Sequence, residues 1–416
     1  MSDKKWMRPE SLMMSYGYKP ELSEGAVKCP IFQTSTFVFK KAAEGKAFFE
    51  LAYGLREPNP GEESGLIYSR LNNPDMEILE QRLTLWDKSE ACAVFSSGMG
   101  AITTTMMEML RPGDLVLFSS PLYGGTDHFI HHVLPIWGVD YLSFDAFDSR
   151  EKIMELIAAT GKIPSLIYVE TPSNPTNTLI DLEMCSSIAK HFSTAEKKVH
   201  VAVDNTYMGP LWCHPLEHGV DLVLYSATKY IGGHSDVIAG AVLGSKALIQ
   251  RIKGMRTFFG NVIDPMTCWL LMRSLETLKP RMMLQATNAE HVAKWLDAHP
   301  KVEKVYFPGL IKKEDPQFKI LERQYKSHGA MLSFDIKGGE KEAFAFLDNL
   351  QLIKLAVSLG STESLAEHPA TMTHADVSVE NKKKHYISEK LVRISIGVEY
   401  YEDIIWDISQ ALDKVV

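Results

Sequence analysis

A chain of 416 residues, 45% hydrophobic and 23% charged, has the composition of an ordinary globular protein with room for two domains. Its net charge of −8 speaks against a nucleic-acid partner, and the only basic run is Lys382-Lys383-Lys384, read as a solvated loop. No apolar stretch is long enough to span a bilayer, the start MSDKKWMRPE lacks the apolar centre of a secretion signal, and the five widely spaced cysteines suit reduced thiols. No membrane partner and a cytoplasmic location are therefore expected.

The first sixty or so residues read as irregular, with Glu57-Pro58-Asn59-Pro60-Gly61-Glu62-Glu63-Ser64-Gly65 a loop by composition. Such a segment is expected to lie on the main domain or on a neighbouring subunit. Tyr68 and Arg70 follow, polar and expected to be exposed, either as ordinary surface residues or suited to an anion. Pro74 then marks a helix start, and Met76, Leu79, Leu83 and Trp86 form one apolar stripe over Asp75–Trp86.

From Ala91 strands and helices alternate. Ala91–Phe95 is a strand, Ser96-Ser97-Gly98-Met99-Gly100 a small-residue turn, and 101–110 a helix. A strand, a glycine turn and a helix start together offer free N–H groups and a helix dipole to a phosphate. Strand Leu115–Phe118 leads into Leu122-Tyr123-Gly124-Gly125, where Tyr123 could stack on a planar ring or simply pack. His128, His131 and His132, like His214 and His218, have no accompanying carboxylate or cysteine cluster and are not read as a metal site. Further strands are expected at Val139–Phe144, Leu166–Glu170 and Val199–Val203, with helices at Lys152–Ala159 and Met184–Phe192 between them. The loop Thr171-Pro172-Ser173-Asn174-Pro175 carries Asn174, able to donate to a phenolic oxygen or a carboxylate. Asp204 ends the third of these strands, where a carboxylate either caps a turn or requires a cation.

The stretch Asp221–His234, DLVLYSATKYIGGH, places Lys229 three residues beyond a buried strand that stops at Ser226. Desolvation there would lower its pKa and leave the amine nucleophilic towards a carbonyl. The hydroxyls of Ser226 and Thr228 could hold an anion beside it, and pyridoxal phosphate (PLP) carries both an aldehyde and a phosphate. The alternation over 91–243 predicts a parallel sheet covered on both faces. Gly98, Tyr123, Asn174, Asp204 and Lys229 each follow a strand, so they should converge at one carboxyl edge. Beyond Lys246 come helices at Met266–Leu278 and Met282–Leu296, then a mixed second domain with strands Val302–Phe307, Ala330–Ile336 and Leu391–Ser395. Arg393 interrupts the last of these, either facing solvent on an edge strand or binding a planar anion such as an α-carboxylate.

The segments YSRLNNP, SSGMGAI, LYGGT, ETPSNPT, VDNTY, SATKYIGGH, AVSLGSTESLAEHPATMTH and VRISIGVE together resemble the γ-family of transsulfuration enzymes, from about Thr34 to the C-terminus. That family comprises cystathionine γ-synthase, cystathionine γ-lyase, methionine γ-lyase and O-acylhomoserine sulfhydrylase. The resemblance implies an α/β fold of the aspartate aminotransferase type (fold type I) and a PLP cofactor. It divides the chain into an arm over 1–64 touching a neighbouring subunit, a PLP-binding domain over 65–265 and a small domain over 266–416. It implies a homotetramer of two dimers with shared sites. Lys229 would carry the cofactor as a Schiff base and shuttle protons, Asp204 would pair with the ring nitrogen, and Tyr123 would stack and assist proton transfer. Gly98, Met99, Ser226 and Thr228 would bind the phosphate, with Tyr68 and Arg70 reaching the neighbour's. Asn174, Ser358 and Arg393 would orient the substrate carboxylate and the cofactor's phenolic oxygen.

Three departures bear on the substrate. Gly125 stands where methionine γ-lyases look to carry cysteine, as it does in the cystathionine enzymes. Val357 stands where cystathionine γ-lyases look to carry glutamate. The stretch Arg56–Ser64 looks inserted before YSR. The expected activity is γ-elimination (a C–S lyase) on a methionine-, cystathionine- or homocysteine-type substrate, giving 2-oxobutanoate, ammonia and a thiol. γ-Replacement on an O-acylhomoserine is the close alternative, ahead of an aminotransferase or a non-catalytic PLP-binding regulator.

Overall fold

A computed structural model of the chain describes residues 7–62 and 65–415. Among these residues the backbone forms two sheets. The larger runs in the order β1 (Ala91–Phe95), β7 (Gly240–Gly244), β6 (Leu222–Ser226), β5 (His200–Asp204), β4 (Pro164–Glu170), β2 (Leu115–Ser120), β3 (Asp140–Asp145). The pairs β2–β3, β2–β4, β4–β5 and β5–β6 are parallel. Strand β7 runs antiparallel to both β6 and β1. The expected sheet is thus mostly parallel with one reversed strand, and every strand except β7 ends at the same edge.

Residue type accounts for the order. The continuous run Leu166-Ile167-Tyr168-Val169 in β4 is buried on both faces, as a central strand covered by helices requires. Strand β3 keeps Asp140, Tyr141 and Ser143 exposed and sits at the rim. Each fully buried Val, Leu or Ile contributes roughly 1.5–3 kcal/mol, so the strand ends that carry the site stand on a rigid base. The helix after β1 begins at Gly98, with the Ser97 side chain accepting from the Gly100 N–H 2.9 Å away. Gly98 and Met99 therefore occupy its first turn. Pro74 opens the helix Pro74–Asp87, capped by Asn73.

The second sheet has the order β10 (Lys354–Leu355), β11 (Leu365–Glu367), β12 (Leu391–Ser395), β9 (Met331–Ile336), β8 (Val302–Tyr306). Strand β12 lies in the middle, so Arg393 is not on an edge: it is buried and register-paired with Glu367 of β11 and Ser333 of β9. A 20-residue helix, Leu278–Asp297, packs against β8, β9 and the C-terminal helix Tyr401–Asp413 and also touches the Thr228–Gly232 turn. Pro280 falls in its first turn, where a missing N–H costs nothing, so the helix is unbroken.

Two segments differ from expectation. Residues Ala42–Ala52 form a helix within the irregular arm, and Lys382–Lys384 end a short helix, Val379–Lys384. Residues 16–32 of the arm lie on the chain's own helices: the Phe32 N–H donates to Asp75, and Trp269 Nε1–H donates to the Cys29 carbonyl. Further along, Val38, Phe39, Phe49, Tyr53 and Leu55 are exposed. The described part of the 56–64 stretch is braced from within, Arg56 donating through both terminal nitrogens to Glu62 at 2.7 and 2.6 Å. Glu63 and Ser64, like residues 1–6, lie outside the described residues. No described helix is long and apolar enough to cross a membrane.

Candidate active site

At the carboxyl edge of the large sheet, facing the small one, is a cavity of about 510 Å³. Its lining includes Gly98, Met99, Tyr123, Asn174, Asp204, Ser226, Thr228, Lys229, Ser358 and Arg393. Ten of the residues picked out from sequence thus share one wall. Tyr68 and Arg70 are absent from it: both are exposed, and Arg70 donates to the Thr257 carbonyl at 2.9 Å.

Lys229 follows β6 in a tight turn closed by the Gly233 N–H, which donates to the Lys229 carbonyl at 2.7 Å. Gly233 has φ +70°, and a Cβ there would strike the Arg281 guanidinium, so only glycine fits. The amine of Lys229 donates to Ser358 Oγ at 2.7 Å. Burial, reinforced by the Arg393 charge, lowers its pKa to about 8. A fraction of the amine is therefore neutral and nucleophilic near physiological pH. Ser358 has φ +106°, rare for a residue with a side chain, and this conformation sets its hydroxyl on Lys229 and its carbonyl on Arg393 Nη2.

Asp204 is 7% exposed at the end of β5, and burial raises its pKa. Its close donors include Thr206, through its N–H at 3.0 Å and through its side chain, and, at 3.5 Å, the Tyr168 hydroxyl. No described cation pairs with it, so both sequence readings meet here: Asp204 caps the turn and still lacks a counter-charge. Arg393 donates from Nη1 to Glu367 and Asn174 and from Nη2 to the Ser358 carbonyl. Its Nε–H is buried without an acceptor. The Nε–Nη2 edge is the one left for a carboxylate to approach side-on. Asn174 Oδ1 accepts from Arg393 and from the Tyr207 hydroxyl at 2.5 Å, which leaves its –NH2 to donate.

On the opposite side, Gly98 presses against Ser226: a Cβ would lie 2.9 Å from that of Ser226. The resulting notch combines first-turn N–H groups with the Ser226 hydroxyl and can hold an anion. Thr228 Oγ1 is partly engaged, donating to the Ala239 carbonyl and accepting from its N–H. Tyr123 is 43% exposed and borders the opening.

Sequence reasoning passed over Glu170, Thr206 and Tyr207. Glu170 ends β4 as Asp204 ends β5, and the two are register neighbours. The rule that selected Asp204, an acidic residue closing an apolar strand, would have found it. Thr206 and Tyr207 carried no such signal; only folding shows Thr206 Oγ1 accepting from the Ser226 N–H at 2.8 Å.

Comparison with known proteins agrees with this geometry. The family described as Cys/Met metabolism PLP-dependent enzyme matches residues 10–413. The L-methionine γ-lyase of Pseudomonas putida is 41% identical over 95% of both chains. The cystathionine γ-lyase of Bacillus subtilis is 38% identical over 98% of this chain and all of the other. The solved cystathionine γ-synthase of Xanthomonas oryzae pv. oryzae, in complex with cystathionine, superposes with a TM-score of 0.87 at 33% identity over 98% of both chains. A match that leaves only the extreme ends uncovered makes this chain a member of the Cys/Met metabolism PLP-dependent enzymes.

Proposed function

We propose that the protein catalyses γ-elimination on a homocysteine-derived thioether, releasing a 2-oxo acid, ammonia and a thiol. The observation that carries this reading is the meeting of Lys229, Asp204 and Arg393 in one cavity. The relatives named methionine γ-lyase and cystathionine γ-lyase support it.

The residues fit PLP. Asp204, a buried carboxylate without a cation, suits a protonated ring nitrogen. The notch at Gly98, Met99, Ser226 and Thr228 suits the phosphate, the Tyr123 ring a stacking partner, and the Asn174 –NH2 the phenolic oxygen. The Lys229 amine suits the aldehyde. When bound, PLP supplies an electron sink that stabilises negative charge at the substrate Cα.

The chain's own residues do the rest. The Nε–Nη2 edge of Arg393 binds the substrate carboxylate and fixes which bonds face Lys229. Lys229 takes and returns protons at Cα and Cβ, held in line by Ser358 Oγ. To the Tyr123 hydroxyl, on a half-exposed ring lining the cavity, we assign protonation of the leaving thiolate.

The rim favours an uncharged sulfur substituent. Ile238, Val357 and Met372 line the cavity while remaining 68%, 55% and 37% exposed. Glu170 and Asp204 are its only described acids, and both are buried. Among the described residues lining this chain's own cavity, a distal ammonium, as in cystathionine, therefore meets no exposed carboxylate. γ-Replacement on an O-acylhomoserine is the second reading, supported by the solved cystathionine γ-synthase that superposes on this chain. A Cβ on Gly125 would lie 2.8 Å from the Tyr123 ring and 3.1 Å from Met99 Sδ, so glycine here leaves the Tyr123 ring its place.

The division into 65–265 and 266–416, with an arm over 1–64 reaching a neighbouring subunit, belongs to the same reading. So do the homotetramer, the cytoplasmic location, and Tyr68 and Arg70 completing the neighbour's phosphate site. The exposure of both residues outside this chain's own cavity supports the last point.

The test is a product assay. Methionine, cystathionine, homocysteine and both O-acylhomoserines are offered with and without sulfide, and 2-oxobutanoate and new thioethers are scored. We expect 2-oxobutanoate from an uncharged thioether without a second substrate. Products that require 2-oxoglutarate would make it an aminotransferase instead.

A further inference from the structure

Glu170 is buried where a carboxylate is costly. It lies at the end of β4, register-paired with Asp204 on the neighbouring parallel strand. Two carboxylates on adjacent strands repel, and desolvation penalises both. One carboxylate suffices to face a ring cation, so the second calls for a separate reason.

Its hydrogen bonds supply one. Glu170 Oε2 accepts from the Tyr123 N–H at 2.7 Å. Glu170 Oε1 accepts from the Asn174 N–H at 3.3 Å. Its own N–H donates to Ser119 Oγ at 3.0 Å, which ties β4 to the end of β2. Tyr123 lies on the loop after β2 and Asn174 on the loop after β4, and neither loop has regular structure at these residues. One side chain thus holds both cavity-lining residues by their backbones, one oxygen to each. Only a carboxylate offers two equivalent acceptors in this fork; glutamine offers one acceptor and a donor that would face an N–H.

We propose that Glu170 is a positioning residue that sets the Tyr123 and Asn174 loops at the correct spacing for the cofactor ring between them. The proposal rests on the reading that the Lys229 cavity holds PLP. Glu170 touches neither substrate nor reacting atoms in this role. It acts through the two residues it anchors, one on the ring face and one at the ring edge. Burial, followed by the neighbouring Asp204 charge, raises its pKa, while the Tyr123 and Asn174 N–H groups oppose that rise by favouring the ionised fork. The cost of burial is consistent with retention for geometry rather than for fold stability.

The test uses full-length protein carrying Glu170→Gln, Glu170→Asp or neither substitution. Amide hydrogen exchange is read on apo protein in peptides covering Tyr123 and Asn174, with the peptides of β2, β4 and β5 as internal controls. Cofactor retention and the visible circular dichroism of added PLP are read separately. We expect faster exchange at one or both loop amides by about tenfold, the equivalent of one lost hydrogen bond, with the strand peptides unchanged. We expect PLP to dissociate about tenfold more readily from Glu170→Gln, with weakened visible dichroism because the ring is less firmly oriented. Glu170→Asp, which keeps the charge but is one methylene shorter, should resemble Gln rather than wild type. The proposal is overturned if both variants keep wild-type loop exchange and dichroism. It is equally overturned if exchange rises uniformly through β2, β4 and β5, which would make Glu170 a core-stability group. The reading beneath it is tested by wild type and Lys229→Ala alone. If wild type gains no visible band with PLP, that reading falls, while the apo exchange result still decides what Glu170 anchors.

Discussion

Glu367 faces Arg393 across the β11–β12 ladder, Oε1 2.6 Å from Nη1, with the two side chains 0% and 3% exposed. Thr373 adds a hydroxyl donor to the same carboxylate oxygen. A buried pair of this kind is roughly neutral as a unit but costly to break, because the survivor is an uncompensated charge. Glu367→Gln should therefore destabilise the protein by about 3–5 kcal/mol, measured by urea unfolding. It should also respond to ligand more than wild type does. An unreactive amino acid brings a carboxylate to the Nε–Nη2 edge and replaces part of the lost charge. The shift in unfolding midpoint on adding such a ligand should be larger in the variant. An equal or smaller shift would mean that Arg393 is not where the carboxylate binds.

The Lys229 amine should titrate well below an ordinary lysine. Its pKa is lowered to about 8, first by burial and then by Arg393. Only the neutral amine attacks an aldehyde, so reductive trapping of PLP on apo protein should rise with pH and reach half its maximum near pH 8. Arg393→Met removes the second cause and should move that midpoint upward; a midpoint shared with surface lysines would contradict the burial seen here.

Asp87, which is not among the residues lining the Lys229 cavity, carries a separate pH dependence. It is fully buried, accepts from the Tyr225 hydroxyl at 2.9 and 3.0 Å, and has its pKa raised to about 8, chiefly by burial. Below the ordinary aspartate pKa both folded and unfolded chains hold the proton. Between there and about pH 8 the folded chain holds a proton that the unfolded chain releases. Stability from this group is thus lost as pH rises, by up to about 1.4 kcal/mol per pH unit, and the loss levels off above pH 8. Asp87→Asn removes the titration. The stability difference between variant and wild type should therefore move in the variant's favour from pH 5 to 8 and stay constant beyond it. A difference that does not change with pH would show that Asp87 is ionised in the fold.

How far a residue could be read from the chain alone followed from whether its signal was local. Asp204 stood out because it directly ends an apolar strand, Lys229 because it follows one by three residues between hydroxyls and glycines, and Asn73-Pro74 because a cap and a first-turn proline are adjacent. The direction of β7 carried no such mark: Gly240-Ala-Val-Leu-Gly244 reads the same for either orientation, and its reversal depends on pairing with β6 and β1. Glu367 was hidden for a related reason. It sits in a three-residue strand, and its partner comes from a different segment, so nothing beside it announces an ion pair. Arg393 posed a choice between solvent and anion that only the central place of β12 resolves. The helix Ala42–Ala52 was masked by the glycines and prolines around it, although its own residues are good helix formers.

Tyr68 and Arg70 offer the sharpest test of assembly, because each lies exposed and outside the cavity of its own chain. If they serve the neighbour's phosphate, Arg70→Ala and Lys229→Ala lesions fall in different sites of a mixed dimer. A dimer with one subunit of each kind then has one site with both lesions and one with none. Random mixing makes half of all dimers mixed, so a one-to-one mixture should recover about a quarter of wild-type turnover. Each variant alone should be inactive, or for Arg70→Ala weak and improved by excess PLP. Recovery should also require dissociation and reassembly of subunits, and simple mixing of folded oligomers should give less. Absence of any recovery after verified subunit exchange would confine Arg70 to its own chain, where its contact with the Thr257 carbonyl would be its whole role.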